Sequence, residues 1–136
     1  MTIQVTIQEK VKAVNEVLQK GEPHNFSADH KGYTGYKPQH IIDAVNTKFM
    51  GEWKSEVLEH HTYPTKNKKG EEVKNAFVKV RVTIADKSHD AFASHPILDD
   101  VGDAFKSAQT DAMKKALSHW SIGRRAYLGE LEANKK

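Results

Sequence analysis

The sequence predicts an α+β fold, with helices placed before and after a small antiparallel sheet. Residues 76–84, "AFVKVRVTI", alternate apolar and polar side chains as a half-buried strand does. Residues 101–120 repeat apolar side chains at helical spacing, and so do Val11, Val14 and Leu18 near the N-terminus. At 136 residues the chain is long enough for one domain to bury a core without disulfides or a structural metal.

The elements follow in order. Thr6-Ile7-Gln8-Glu9 has the Thr-x-x-Glu form of a capping box, which predicts a helix over residues 7–20 stopped by Gly21 and Pro23. Residues 21–36 are rich in glycine, polar groups and aromatics and read as a loop. Pro38 suits a first helical turn, and Ile41, Val45 and Phe49 share one face of a second helix running to Met50, with Gly51 ending it. "EWKSEVLEHHTYPT" reads as a strand, "KNKKGEEVKN" as a polar turn around Gly70, and "AFVKVRVTIA" as the returning strand. In that strand Ala76, Val78, Val80, Val82 and Ile84 face one way, and Phe77, Lys79, Arg81 and Thr83 the other. A third strand is expected around Asp90–Ser94, before Pro96 interrupts it. The last helix is expected from Val101 to Trp120, with Val101, Phe105, Ala108, Ala112, Ala116 and Trp120 as its apolar stripe. Lys106, Thr110 and Lys114 line another face, and Asp111 and Lys115 are spaced to pair, a contribution of about 0.2–0.5 kcal/mol.

Composition excludes some chemistry. The absence of cysteine removes disulfides, thiolate zinc sites and cysteine nucleophiles, and fits a reducing compartment. The N-terminal "MTIQVTIQEK" has no apolar signal core, and no run approaches the ~18 apolar residues of a membrane span, so a cytoplasmic protein is expected. No GxxxxGK[ST] or GxGxxG loop is present to cradle phosphates. His60 and His61 are adjacent and so point to opposite sides of a strand, which is poor metal-ligand spacing. Asp99, Asp100 and Asp103 allow two readings: a magnesium site in a nuclease, or acids stabilised by a helix dipole. The second is favoured, and no catalytic residue, metal or cofactor is expected.

Net charge is only +3, from 21 Lys and Arg against 18 Asp and Glu, but the cations cluster. Residues 64–82 hold Lys66, Lys68, Lys69, Lys74, Lys79 and Arg81 against Glu71 and Glu72. Residues 101–127 hold Lys106, Lys114, Lys115, Arg124 and Arg125 against Asp103 and Asp111. A sheet face carrying Lys79 and Arg81 beside a helix carrying Lys114 and Lys115 would track a sugar-phosphate backbone, with Tyr33, Tyr36 and Tyr127 as stacking surfaces. Alternating lysines also protect a strand against edge-to-edge association, so composition alone leaves both readings open.

The motifs add a resemblance. "SAQTDAMKKALSHWSIGRRAYL" resembles the signature helix of the Rad52/Rad22 family of single-strand annealing proteins, roughly A-x-T-D-x-x-K-[KR]-A-L followed by a glycine turn. Ala108, Thr110, Asp111, Lys114, Lys115, Ala116, Leu117 and Gly123 stand at the matching places. "GYKPQHIIDAVNTKFMGEW" is similar to the family's lead into a helix ending N-x-x-F-G-x-x-W, with Asn46, Phe49, Gly51 and Trp53 near the corresponding points. "AFVKVRVTI" looks like the family's central strand, and the likeness spans residues 33–128. Ser118 and His40 depart from it, standing where members often carry basic residues.

The resemblance implies a β-β-β-α annealing core, an antiparallel sheet packed on a long helix, with an extra N-terminal helix. It implies a homo-oligomer, ring or filament, that binds single-stranded DNA and anneals complementary strands without ATP in recombination or repair. Residues 1–32 are then an N-terminal helix and loop at an oligomer contact, 33–131 the annealing core and 132–136 a short basic tail. Lys114 and Lys115 would contact phosphates, and Lys79, Arg81, Arg124, Arg125, Lys37 and His40 complete the expected DNA-binding set. A bacterial or phage-encoded, nucleoid-associated protein is expected, with a single-strand-binding protein as candidate partner and no membrane. The alternatives are a metal-dependent nuclease using Asp99, Asp100 and Asp103, and a double-stranded RNA-binding module.

Overall fold

The computed structural model describes residues 3–19, 26–28 and 34–123. Their elements are α1 (Ile3–Gln19), β1 (Phe26–Ala28), β2 (Thr34–Tyr36), α2 (Pro38–Phe49), β3 (Trp53–Lys66), β4 (Glu72–Ile84), β5 (Lys87–Pro96) and α3 (Val101–Ser118). They form two compact units, one of residues Met1–Glu52 with Leu117–Lys136, the other of Trp53–Ala116.

In the first unit Val14, Leu18, Ile41, Ala44, Val45, Phe49, Leu117 and Ile122 are buried. α1 begins at Ile3, so Thr6 lies inside the helix and the Thr-x-x-Glu box does not start it. The cause is local: residues 3–6 hold no glycine or proline to stop the helix from extending toward the N-terminus. β1 and β2 pair antiparallel within the stretch expected to be a loop. Strands of three residues are too short to show a period in sequence. α2 matches its expectation: Pro38 opens it, Lys37 is extended as a residue before proline should be, and Gly51 beyond it has φ 77°.

The second unit is a sheet of order β3-β4-β5, antiparallel throughout. On β4 Ala76, Val78, Val80, Val82 and Ile84 are all buried, as alternation required. α3 packs on this face, because His60, in register with Val78, sets its ring 5.8 Å from Phe105, and His95, in register with Ala76, bonds Asp111. The three-strand-plus-helix expectation therefore holds. β3 carries a bulge between Val57 and Glu59, where the register shifts. Before it Ser55 and Val57 oppose the buried Val82 and Val80; after it His60 and Thr62 oppose Val78 and Ala76. One extra residue thus reverses the parity of the strand.

The stripe of α3 keeps its expected centre, Ala108, Ala112 and Ala116, and departs from the expectation toward its ends. Ala104, Ala108, Ala112, Met113 and Ala116 are buried, whereas Val101 is 52% exposed and Trp120 lies beyond the helix end. Four alanines at i, i+4 spacing leave room for the sheet's larger valines, and a low-hydropathy residue such as alanine is a weak signal in sequence.

Both hairpins have turns with specific chemistry. Asn67 Oδ1 accepts from the N–H groups of Lys69 at 2.9 Å and Glu71 at 3.0 Å, and Gly70 takes φ 80°. At the other turn Ala85 is held at φ 56°, a conformation that glycine adopts without penalty. Ala85→Gly should therefore raise stability by about 0.5–1 kcal/mol, the left-handed penalty less the added chain entropy, and a lowered Tm would contradict this.

Candidate nucleic-acid interface

α3 brings the signature residues together. Asp100 Oδ1 accepts from the N–H of Gly102 at 2.6 Å and of Asp103 at 3.3 Å, which makes Asp100 its N-cap. Asp100 thus serves the helix start and Asp103 lies in the first turn, and among the described residues no three His, Cys, Asp or Glu side chains gather to hold a metal. One turn from the lysines, Asp111 Oδ2 lies 2.9 Å from His95 Nε2. A carboxylate only accepts, so the imidazole N–H donates, and Asp111 ties α3 to β5. His95 is a partner of Asp111 that the sequence did not announce. Lys114 is half-buried and Lys115 exposed, on the part of α3 not taken by the alanine stripe.

The opposite face of the sheet is mixed in charge. Arg81 Nε and Nη2 donate to the two carboxylate oxygens of Asp90 at 2.8 and 3.1 Å, a bidentate pair across β4 and β5. The hydrogen bond from Arg81 holds the Asp90 carboxyl below its ordinary range, and the same bond raises Arg81. Glu56 stands opposite Arg81 on β3, and half-buried Lys79 stands between Glu59 and Phe92. Beside them His61 stacks on Phe77 at 4.7 Å and 22°, and Phe77 meets Phe92 at 5.6 Å and 30°. The sheet lies between this face and α3, so Lys79 and Arg81 do not share a surface with Lys114 and Lys115 within the second unit.

In the first unit Lys37 is exposed just before α2, and half-buried His40 directs Nε2 to the carbonyl of Leu18 at 3.3 Å. The turn after α3 is pinned by Asn15: its Nδ2 donates to Ser121 O and its Oδ1 accepts from Gly123 N–H, each at 2.9 Å. Ser121 and Gly123 have φ 65° and 78°, which explains the glycine of the signature turn. Arg124, Arg125, Tyr33, Tyr127 and the tail 132–136 lie outside the described residues, as does the side chain of Tyr36.

The sequence reading missed the Arg81–Asp90 pair, the aromatic stack and the Asn15 clamp. A signal existed for the first two: Asp90 and Phe92 are two residues apart on one strand and so share a face. Asn15 carried none, because its partners are backbone groups 106 and 108 residues away.

The family model described as Rad52/22 family double-strand break repair protein matches residues 2–136. The chain belongs to the Rad52/Rad22 family. A search of curated proteins finds no match to it. Rad52/Rad22 proteins act in DNA repair and recombination as single-strand annealing proteins, bind single-stranded DNA and form oligomeric rings. Among the described residues no helix is long and apolar enough to cross a membrane.

The Arg81–Asp90 pair gives a prediction of defined sign. Because the folded carboxyl is lowered, its stabilising contribution is present above the unfolded value and is lost as pH falls through the folded one. In an NMR titration Asp90 should titrate below the ordinary aspartate range, and Arg81→Ala should move it upward. An unchanged midpoint in Arg81→Ala would show that the pair does not form in solution.

Proposed function

We propose that this chain is an ATP-independent single-strand annealing protein that holds one DNA strand by its phosphates along α3. The observation that carries the reading is the family match over residues 2–136 together with Lys114 and Lys115 side by side on that helix. Two adjacent cations at a helix surface neutralise neighbouring phosphates and release their counterions, which favours binding whatever the sequence. Phosphate contacts position a strand and leave its base edges unread. A complementary strand then meets exposed bases and reduced repulsion, and base pairing itself supplies the driving force, so no nucleotide hydrolysis is required.

The proposed residues rank by their place in the family signature. Lys114 and Lys115 come first, and Arg124 and Arg125 follow the clamped turn in sequence. Arg81 lies outside the signature helix and is bonded to Asp90, which it would have to leave to reach a phosphate. Lys79, Lys37 and His40 are secondary members of the set. The oligomeric ring, the cytoplasmic location and recruitment of a single-strand-binding protein belong to the same proposal.

Lys114→Ala with Lys115→Ala should weaken binding to a labelled single strand and reduce the slope of log K against log salt by about 1.4, or ~0.7 per phosphate contact. Circular dichroism should keep the helical signal. Arg81→Ala should cost less than the double lysine change. Binding and slope unchanged in the double variant would remove α3 from the interface.

A further inference from the structure

The phosphate-holding role of α3 does not involve the opposite sheet face, where Lys79 and Arg81 stand beside a row of aromatic rings. His61, Phe77 and Phe92 stand on β3, β4 and β5 in turn, with ring centroids 4.7 and 5.6 Å apart and planes within 22° and 30°. The first pair is stacked, and the second is tilted by 30°. The row is braced at its β3 end, where His61 Nδ1 lies 3.2 Å from Glu59 and the Tyr63 ring sits 6.3 Å away. Its β5 end is open: β5 is an edge of the three-stranded sheet, and Phe92, the last ring, is 61% exposed.

We propose that Phe92 is a stacking platform for an unpaired nucleobase of a single strand, an inference that rests on the single-strand binding argued above. An arriving ring finds an aromatic surface whose orientation is already set by Phe77, so little ordering is needed on binding. The size of the patch selects its occupant. One exposed phenyl group accommodates a single planar ring, whereas a stable protein contact needs about 800 Å² from each partner. The charges agree with a nucleotide. Lys79 stands directly across from Phe92, one strand away, where it can meet the phosphate beside a stacked base. The nearby acids are engaged: Asp90 by Arg81, Glu59 by His61 and Glu56 by Lys54 at 3.5 Å. Ser94 shares a face with Phe92 two residues along β5 and offers a hydroxyl to a base edge.

The test uses the full chain, a labelled oligothymidine, and the same strand with abasic positions in place of most bases. Phe92→Ala should weaken binding to the base-bearing strand about tenfold and leave binding to the abasic strand as in the unaltered chain. Phe92→Trp should restore the base-bearing affinity, and the salt slope should stay constant because no phosphate contact is lost. Equal affinity of Phe92→Ala and the unaltered chain for the base-bearing strand would overturn the platform alone. Equal loss on both strands, or a loss accompanied by a change of oligomer mass in light scattering, would also overturn it and assign Phe92 to folding or to a second copy. If the unaltered chain binds neither strand, the single-strand reading falls first and the platform with it.

Discussion

Burial of one face of β4 is the constraint on which the second unit depends. Ala76, Val78, Val80, Val82 and Ile84 are withdrawn from water beneath an alanine-lined helix, and each valine fully buried in this way contributes about 1.5–3 kcal/mol. Because side chains alternate along a strand, that burial also dictates what points the other way. Phe77, Lys79, Arg81 and Thr83 are turned outward, and their cross-strand partners on β3 and β5 are fixed by register. The chemistry of the outer face is thus a consequence of the core beneath it. A slip of one residue would bury Lys79 and Arg81 and expose the valines.

The same constraint explains what could be read in advance. β4, the middle strand, shows an uninterrupted period of two, and its inward and outward residues were legible from the sequence alone. β3 was legible as a strand but not in its facing, because the bulge at Leu58 reverses the alternation midway. The opposite facing of His60 and His61 was readable all the same, since both lie on one side of the bulge, and the two rings meet Phe105 and Phe77 on opposite faces. α3 was legible in extent and in the centre of its buried stripe, but alanine carries little hydropathy, so Ala104 was missed and the more apolar Val101 and Trp120 were placed in the stripe. Lys114 and Lys115 were visible as a pair. That Arg81 is engaged by Asp90 depended on the register of a third strand of which only the centre could be placed.

The signature of the Rad52/Rad22 family separates, in this chain, into residues that build and residues that face outward. Asp111 bonds His95 and ties the helix to β5. Ala108, Ala112, Ala116 and Leu117 are buried. Gly123 takes a left-handed conformation and donates to Asn15, which joins α1 to the turn after α3. Lys115 is exposed and Lys114 half-buried, so the cations stand on a helix whose buried side and following turn are fixed by the rest of the motif. A helix anchored in this way presents its charges at fixed spacing, which matters for a ligand whose phosphates are themselves regularly spaced.

The most direct test of the account is strand annealing itself. Two complementary oligonucleotides bearing a donor and an acceptor fluorophore would be mixed with the purified chain in chelator, without ATP or metal. The account predicts pairing faster than the spontaneous rate, increasing with protein and suppressed by salt as phosphate contacts are screened. Pairing no faster than the spontaneous rate, or acceleration that appears only with ATP, would contradict it. Strand cleavage on addition of magnesium would instead move Asp99, Asp100 and Asp103 to the centre of the protein's chemistry.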